Sequence, residues 1–334
     1  MEKRSYGSQI REASPSDTSL GQSKILAFLN SDTFKGLLPF IGLVAIIVIM
    51  NVLTEGRILQ PKRVRLLLSQ VYYPMIVATG VFFVMTLGSI DFTEGSTLGV
   101  ASIVVSMLSF YSIPLAIAGG ILTGAAIGAI NGFFHVKFKL QSFIVTICTM
   151  YLFRGVCAYM TTETAIPASQ AIKALDSNEL KIGITVAVLL AAYFLFRFTR
   201  VGSDFKAIGS GETAARFSGV RTDRVKFMAF VAAGALTGLA AFVNVIKVGS
   251  ITATAGNQLE TQILISLVLG GLPITGGAKV RFSNIIVGTL MYTVLNNGLV
   301  MLGFESATQQ LIKGIVFLAF VALTIDRKAL KVIK

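Results

Sequence analysis

Few side chains in this sequence could carry catalytic chemistry. His135 is the single histidine among 334 residues, so a mechanism that needs two imidazoles is excluded. Cys148 and Cys157 lie in one apolar run, at a spacing that suits neither a metal site nor a structural disulfide. No Gly-x-x-x-x-Gly-Lys-Ser/Thr phosphate loop occurs, so the chain cannot hold ATP by that device. We therefore predict no catalytic residue, no metal site and no cofactor bound by this chain.

Four ionisable residues lie beside or inside apolar segments, where such groups mark functional sites. Asp91 and Glu94 follow an apolar run and suit either an interfacial turn or a transport site. Arg154 and Lys313 are embedded in apolar sequence, and no acidic partner at the same depth is evident from the sequence. These residues leave an ion-driven carrier open as an alternative function.

The composition of the chain indicates what kind of structure must position these residues. Hydrophobic residues make up 54% of the chain, charged residues make up 13%, and the mean hydropathy is +0.77. A soluble domain carries about 25% charged residues, so an ordinary soluble enzyme and a disordered chain are both excluded. The net charge of +13 is therefore attributed to membrane topology and not to nucleic-acid binding.

Long apolar runs predict an all-α, polytopic membrane protein with about ten transmembrane helices. A helix of about 20 apolar residues crosses the hydrocarbon core, and these runs lack the alternation of a lipid-facing β-strand. Ser112-Ile113-Pro114 separates the short third span from the fourth, which makes residues 96–134 a tight hairpin. The predicted spans are 37–53, 71–88, 96–110, 112–134, 142–160, 182–198, 226–246, 260–277, 282–302 and 309–325.

Charged residues outside the spans predict the domain organisation and the orientation. Residues 1–36 form a polar N-terminal segment, 37–325 the transmembrane domain, and 326–334 a basic tail. The side that holds both termini carries 20 Lys and Arg residues, against seven on the opposite side. Because positive residues concentrate on the cytoplasmic side, both termini are expected in the cytoplasm. The basic cluster at 57–65 is an exception to this pattern.

Two glycine-rich segments predict broken helices. Residues 87–95 (the first break) and 269–277 (the second break) share four of nine positions. Irregular backbone at membrane depth is tolerated where protein or water satisfies its polar groups, and paired interruptions in the two halves indicate a transport pathway. The residues that define the breaks are Gly88, Asp91, Gly95, Gly270, Gly271, Gly276 and Gly277.

A stripe of glycines predicts close helix packing in the fourth span. Gly124, Gly128 and Gly132 lie on one face, and Gly234 and Gly238 repeat the device in the seventh span. Small residues let membrane helices approach closely. We predict a tightly packed bundle with one seam that faces another subunit.

The longest basic loop, residues 199–225 (the basic loop), predicts a short helix. Ser210 can act as its N-cap, Glu212 suits the positive end of a helix dipole, and Gly219 is placed to end the helix. We predict a helix over 211–218 with a slim face of alanines, a shape suited to a partner's groove. A solvated connection would fit the residues equally well.

The basic loop resembles the ATPase-coupling segment of bacterial binding-protein-dependent sugar permeases. These are the ribose/galactose/xylose type within the branched-chain-amino-acid and sugar permease superfamily. Stretches similar to this family also occur, in order and with compatible spacing, at 88–96, 128–146, 269–277, 295–298 and 310–314. The resemblance implies a fold like that of type II ABC importer permeases.

The resemblance also implies a function and a set of partners. It implies the permease subunit of an ABC importer for a ribose-, galactose- or xylose-like monosaccharide, in the bacterial inner membrane with both termini cytoplasmic. The implied partners, besides membrane lipid, are ATPase subunits that bind ATP and Mg²⁺, a second permease copy or homologous permease, and an extracytoplasmic sugar-binding protein.

The family pattern assigns roles to individual residues. The fifth and tenth spans line the translocation path at the dimer axis, where the candidate polar contacts are Thr146, Thr149, Gln309 and Gln310. The ATPase-coupling role falls on Gly209, Gly211, Glu212, Ala214, Ala215, Arg216 and Gly219.

Two alternatives remain beside the sugar permease. Permeases for nucleosides or branched-chain amino acids share the implied architecture. An ion-driven secondary transporter would need an intramembrane carboxylate, for which only Asp91 and Glu94 are available.

Overall fold

A computed structural model describes residues 32–324. Of the polar segment predicted at 1–36, only the last residues are described, as the start of the first helix, and the basic tail predicted at 326–334 lies outside the described residues. The chain divides after Leu38 into two compact units. The first unit contributes only the start of a helix to the described residues, and all contacts discussed below lie in the second.

Helices dominate the described residues. A 3-10 turn, Arg57–Leu59, precedes the second helix, and two short strands, β1 (Ile166–Pro167) and β2 (Ser250–Ile251), pair antiparallel. The α-helices are α1 (Asp32–Leu53), α2 (Pro61–Thr86), α3 (Glu94–Leu108), α4 (Ile113–Lys137), α5 (Ser142–Met160), α6 (Gln170–Lys173), α7 (Asn178–Phe198), α8 (Arg200–Ser210), α9 (Glu212–Phe217), α10 (Thr222–Val248), α11 (Leu259–Leu269), α12 (Ser283–Met301) and α13 (Ser306–Thr324).

The predicted all-α, polytopic membrane fold is confirmed. Seven helices, namely α1, α2, α4, α5, α7, α10 and α12, are long and apolar enough to cross a membrane. Three shorter apolar helices, at Glu94–Leu108, Leu259–Leu269 and Ser306–Ala322, lie at the remaining predicted spans, and the second of them covers only the first part of its span. Ser112 caps α4 by accepting a hydrogen bond from the backbone N–H of Leu115, and α3 packs against α4, so the predicted hairpin of the third and fourth spans also forms.

The second helix is longer than the apolar run that predicted it. It begins at Pro61 instead of near residue 71. Proline suits the first position of a helix because its missing N–H would have no partner there. The charged residues Lys62 and Arg63 lie in this first turn and are exposed. The exceptional basic cluster at 57–65 is therefore an exposed extension at the start of α2.

The eighth predicted span, 260–277, is wrong as a continuous helix. The helical part, α11, ends at Leu269, and residues 270–282 are irregular. Gly271 adopts a φ of +89°, a left-handed conformation that favours glycine. Pro273 follows two residues later and cannot donate to a helical hydrogen bond. The second break therefore terminates a half-length helix.

The glycine stripe of α4 packs against α10 inside the same chain. A Cβ atom at Gly124 would lie 2.0 Å from the carbonyl oxygen of Gly234, and one at Gly128 would lie 2.2 Å from that of Phe230. A Cβ at Gly132 would approach the Phe227 backbone. The prediction that this seam faces another subunit is wrong, because helical periodicity identifies a packing face without identifying its partner.

We expect Gly124→Ala to destabilise the bundle. The added methyl group cannot fit beside the α10 backbone, and overpacking of this kind costs about 1–3 kcal/mol. Thermal unfolding of the purified protein in detergent measures the effect. Gly183→Ala in α7 is the matched control, since a Cβ there meets nothing within 4 Å. Equal midpoints for the two variants would contradict the close α4–α10 contact.

An aromatic cluster anchors the basic loop to the bundle. The Phe82 ring lies 4.9 Å from that of Phe196 at the end of α7 and 5.7 Å from that of Phe282. Phe205 of α8 packs against Phe83, with 5.5 Å between ring centroids. Phe82 and Phe205 are both buried. The loop that follows α7 is therefore held against the end of α2.

Candidate functional site

Two short helices, α8 and α9, form the basic loop. The prediction of a helix over 211–218 is confirmed by α9, which spans Glu212–Phe217. The prediction that Ser210 caps this helix is wrong. Its hydroxyl donates back to the carbonyl oxygen of Lys206 at 2.8 Å, so it ends α8, and Gly211 precedes α9 without a side-chain cap. The Ser210 hydroxyl therefore bonds to the last turn of α8 instead of capping the start of α9.

Gly219 ends α9 as predicted. Its φ is +88°, and its N–H donates to the carbonyl oxygen of Arg216 at 3.1 Å. The N–H of Val220 donates to the carbonyl oxygen of Ala215, also at 3.1 Å. Backbone bonds of this kind satisfy the last carbonyl groups of a helix, and the left-handed residue is usually glycine.

Charged side chains fasten α9 to the start of α10. The Lys226 ammonium donates to Glu212 Oε2 at 2.6 Å. Arg216 Nη2 lies 3.1 Å from Thr222 Oγ1 and 3.2 Å from Asp223 Oδ1. Partial burial raises the pKa of Glu212, but the hydrogen bond and charge of Lys226 outweigh it, and the net pKa lies below the ordinary value. Glu212 is therefore ionised at neutral pH.

Acidification should loosen α9. Because the folded pKa of Glu212 is depressed, its ion pair stabilises the fold fully above the ordinary value of 4.5 and is lost as the pH falls through the folded pKa. Hydrogen exchange of the α9 amides, corrected for the intrinsic rate, should accelerate below that value. Glu212→Gln should show accelerated exchange already at neutral pH. Identical neutral-pH exchange in the parent and Glu212→Gln would contradict the role of this pair.

The exposed side of α9 is available to a partner. Ala215 is buried against the bundle, whereas Ala214 and Arg216 are exposed. The Phe217 side chain is 89% exposed, which is high for an aromatic residue. An arginine and an exposed aromatic ring on one short helix are typical of a protein contact surface.

Gly209 joins the basic loop to both helix breaks. A Cβ atom at Gly209 would lie 2.0 Å from the carbonyl oxygen of Thr86 and 2.6 Å from the backbone nitrogen of Gly277. The N–H of Gly277 in turn donates to the carbonyl oxygen of Thr86 at 3.1 Å. Thr86 ends α2 just before the first break, and Gly277 ends the second. Three backbone segments therefore meet at this point without intervening side chains (the Gly209 junction).

The two breaks also touch each other directly. Gly88 has a φ of +77°, and a Cβ there would lie 3.0 Å from the carbonyl oxygen of Thr275. Gly276, with a φ of +67°, lies against the carbonyl oxygens of Met85 and Thr86. The glycines at the start of the second break pack elsewhere, since Gly270 faces the backbone of Asn284 and Gly271 faces Pro39.

Buried hydrogen bonds hold the extended part of the first break. Asp91 Oδ1 accepts from the backbone N–H of Thr93 at 2.8 Å and from its hydroxyl at 2.5 Å. Asn131 Nδ2 donates to Thr93 Oγ1 at 2.9 Å, and Thr149 Oγ1 donates to Asn131 Oδ1 at 2.7 Å. Thr146 Oγ1 lies 3.4 Å from the carbonyl oxygen of Ile90. The protein therefore satisfies irregular backbone inside the bundle.

Two of the four candidate path residues, Thr146 and Thr149, share these contacts, and Gln309 and Gln310 do not. Thr146 and Thr149 are buried beside the first break. Gln309 donates from Nε2 to the carbonyl oxygen of Phe304 at 2.7 Å, at the start of α13, and Gln310 is exposed. The hydrogen bonds of Thr146 and Thr149 therefore hold the first break, whereas the hydrogen bond of Gln309 stays at the start of α13.

An ion pair that the sequence did not predict lies against the end of the first break. Arg154 Nη2 lies 3.1 Å from Glu260 Oε1, and Arg154 Nη1 donates to Asn257 Oδ1 at 2.5 Å. A Cβ at Gly95 would lie 2.1 Å from Glu260 Oε2 and 2.3 Å from the carbonyl oxygen of Gly256. A cation embedded in a span signals a polar or acidic partner in another helix, but the sequence does not identify Glu260 as that partner.

Glu94 occupies a second buried position beside the first break. The hydroxyl of Thr237 donates to Glu94 Oε2, whereas Glu94 Oε1 is buried without a hydrogen-bond partner among the described residues. Lys313 donates to Asn296 Oδ1 at 3.0 Å. Asp91, Glu94, Arg154 and Lys313 therefore each contact other residues of the bundle, and they do not converge on one common site.

Comparison with known proteins identifies the family. A family profile described as "Branched-chain amino acid transport system / permease component" matches residues 64–321. The ribose import permease protein of Bacillus subtilis strain 168 is 34% identical over 301 residues, covering 87% of this chain and 92% of the relative. That of Escherichia coli K12 is 31% identical over 274 residues, covering 78% and 84%.

A further relative is the D-allose transport system permease protein of Escherichia coli K12. It is 28% identical over 293 residues, covering 85% of this chain and 90% of the relative. No solved structure matches the chain. With its apolar helices and this profile match, the chain is a multi-pass membrane protein, and it belongs to the family of permease components of the branched-chain amino acid transport system.

Proposed function

We propose that this chain is the membrane-spanning subunit of an ABC importer for a ribose-, galactose- or xylose-like monosaccharide. In this proposal an extracytoplasmic binding protein delivers the sugar, and separate ATPase subunits supply the energy. The relatives named for ribose and allose support a sugar as the cargo. The observation that carries the proposal is the Gly209 junction, because it connects the exposed basic loop to irregular backbone within the bundle.

The junction supports a mechanism of energy transfer. ATP binding closes the partner ATPases, and their movement displaces α9, which offers Phe217 and Ala214 as contact surface. The contacts of Glu212 with Lys226 make α9 move together with α10. Gly209 transmits the displacement to the breaks because its backbone abuts theirs. If ATP binds one conformation of the complex more tightly than the other by a few kcal/mol of binding free energy, most of the population shifts to that conformation.

The proposed orientation places the basic loop and both termini in the cytoplasm of a bacterial cell, with the chain in the inner membrane. We expect reporter fusions at positions 210 and 170 to give signals on opposite sides of the membrane. The loop between α5 and α7 contains residue 170, and an odd number of crossings separates it from residue 210. Reporter signals from the same side would overturn the topology.

The proposed translocation path lies between two permease copies, along α5 and α13. Gln310 is exposed on α13, and Tyr151 and Leu152 are 68% and 60% exposed on α5. Both helices therefore present side chains to the outside of one chain, as a pathway shared with a second copy requires. Thr146 and Thr149 support this path from behind by holding the first break.

One observation favours a second candidate, an ion-driven secondary transporter. Glu94 Oε1 is buried beside the first break without a hydrogen-bond partner among residues 32–324, and buried carboxylates in membrane bundles serve as proton relays. The ion-driven mechanism needs no ATPase. The two candidates therefore differ in whether the chain alone can accumulate its cargo.

Reconstitution of the complete importer tests the proposed function. The chain is placed in proteoliposomes with the ATPase subunits and binding protein encoded by neighbouring genes. Uptake is measured for D-ribose, D-xylose, D-galactose, a nucleoside and L-leucine. We expect ATP-dependent uptake of a monosaccharide that requires the binding protein. Uptake of the nucleoside or leucine without any monosaccharide would contradict the sugar assignment, and omission of the binding protein is the control.

A further inference from the structure

A polar cavity inside a single chain is independent of the path between copies. Its volume is about 150 Å³, room for about five water molecules at roughly 30 Å³ each, and comparable with one small sugar ring. Side chains with amide or hydroxyl groups dominate its lining, among them Gln70, Tyr73, Gln262, Asn296 and Asn297, and Lys247 adds one ammonium group. The lining residues come from α2, α10, α11 and α12, so the cavity lies between four helices.

The cavity lies at the end of the bundle opposite the basic loop. The α2 end at Thr86 and the start of α12 lie near the second break and Gly209, whereas Gln70 is in the first half of α2 and Asn297 is near the end of α12. The proposed orientation makes this the external half of the membrane. It is the half into which a binding protein releases its cargo.

Internal hydrogen bonds orient the amides and leave polar groups free. Asn297 Nδ2 donates to Gln70 Oε1 at 2.9 Å, and Lys313 Nζ donates to Asn296 Oδ1 at 3.0 Å. Gln70 Nε2, Asn296 Nδ2 and Asn297 Oδ1 thus have no partner among the described residues. The Tyr73 hydroxyl and the Gln262 amide likewise form no hydrogen bond within residues 32–324. The cavity therefore presents fixed donors and acceptors together.

The chemistry of the lining selects a neutral polyhydroxylated ligand. A hydroxyl group both donates and accepts, so it matches amide nitrogen, amide oxygen and phenol groups at once. No carboxylate lines the cavity, which disfavours a cation. Lys247 is the one charged side chain among the described lining residues, and its ammonium can donate to the hydroxyl oxygens of a neutral ligand. Donors and acceptors that line a pathway decide transporter selectivity.

We propose that this cavity is a carbohydrate-binding site within each permease copy, which accepts a single neutral sugar or polyol from the external side. The inference rests on the proposed function and adds to it a ligand site outside the path between copies. Gln262 lies two residues after Glu260 in α11, and Glu260 lies against Gly95 at the end of the first break, so one helix contributes to both the cavity and the break.

Tryptophan fluorescence tests the site in the full-length chain. The sequence contains no tryptophan, so Tyr73→Trp introduces a single reporter into the lining. The purified variant in nanodiscs is titrated with D-ribose, D-xylose and ribitol as neutral probes, and with inorganic phosphate and L-leucine as comparisons. We expect a saturable fluorescence change with at least one neutral probe and none with phosphate or leucine.

Two substitutions in the Tyr73→Trp background localise the signal. Gln262→Met removes an amide that has no partner within the described residues, so it should leave folding intact and weaken neutral-probe binding by about tenfold or more. Asn297→Leu should weaken it similarly. Asn244→Leu is the matched control, because that amide lies outside the cavity and faces Ser102. We expect it to leave the titration unchanged.

The outcomes separate this inference from the proposed function. The site would be overturned if none of the neutral probes changed the fluorescence, or if phosphate alone did. It would also be overturned if neither Gln262→Met nor Asn297→Leu altered the titrations. If the complete importer still transports sugar in that case, the proposed function stands without it. If neutral probes bind as expected but the complete importer moves no sugar, the site stands and the proposed function fails.

Discussion

Gly209→Ala is expected to abolish most ATP-dependent uptake by the complete importer. The new Cβ would lie 2.0 Å from the carbonyl oxygen of Thr86, so α8 must move away from both breaks. Displacement of this kind costs about 1–3 kcal/mol, which corresponds to a change of about 5- to 150-fold in a two-state equilibrium. Sugar uptake and ATP hydrolysis are measured in the same proteoliposomes, and we expect uptake to fall further than hydrolysis.

The control for this variant is Gly183→Ala, which adds the same methyl group where a Cβ meets nothing within 4 Å. It should transport like the parent chain. Complex formation with the ATPase subunits, followed by size-exclusion chromatography, shows whether Gly209→Ala still assembles. An assembled Gly209→Ala complex with full uptake would show that the junction does not transmit movement.

Arg154→Leu is expected to destabilise the bundle more than Gly124→Ala does. It leaves the Glu260 carboxylate, whose side chain is 11% exposed, without its cationic partner. Removal of one member of a buried ion pair costs about 3–5 kcal/mol, and because the Arg154 side chain is 29% exposed we expect a loss near the lower end of this range. Thermal unfolding in detergent should show a large decrease in midpoint for Arg154→Leu.

A second substitution distinguishes loss of the charge pair from loss of packing. The double variant Arg154→Leu with Glu260→Gln contains no unpaired charge, so most of the lost stability should return. Arg63→Leu removes an exposed cation at the start of α2 and is the matched control for the charge change. If the double variant is as unstable as Arg154→Leu, the aliphatic stem of Arg154 and not its charge stabilises the bundle.

Local patterns in the sequence predicted the spans because each span is a local property. A membrane helix satisfies its own backbone and needs only a sufficient length of apolar residues. The end of α9 was predictable for the same reason, since Gly219 needs only a left-handed backbone. The second break was predicted from its glycines, but the end of α11 at Leu269 was not located, because the sequence stays apolar past that residue until Gly271 and Pro273 end the helix.

Contacts between distant segments could not be read from the sequence. The Arg154–Glu260 pair joins positions 106 residues apart, and nothing in either local pattern identifies the other. The α4 glycine stripe indicated a close contact but not that α10 would fill it. The Gly209 junction was likewise invisible, because it consists of backbone atoms from three segments. The two breaks shared enough residues to be noticed together, although their contact through Gly88 could not be predicted.

Solute accumulation by the chain with and without its ATPase tests the central claim most directly. Vesicles that contain the purified chain alone are given an imposed pH gradient and radiolabelled sugar, and matched vesicles also contain the ATPase subunits, the binding protein and ATP. We predict accumulation against a gradient only in the complete system. Concentrative uptake by the chain alone would contradict an energy supply through the basic loop and would favour the ion-driven carrier.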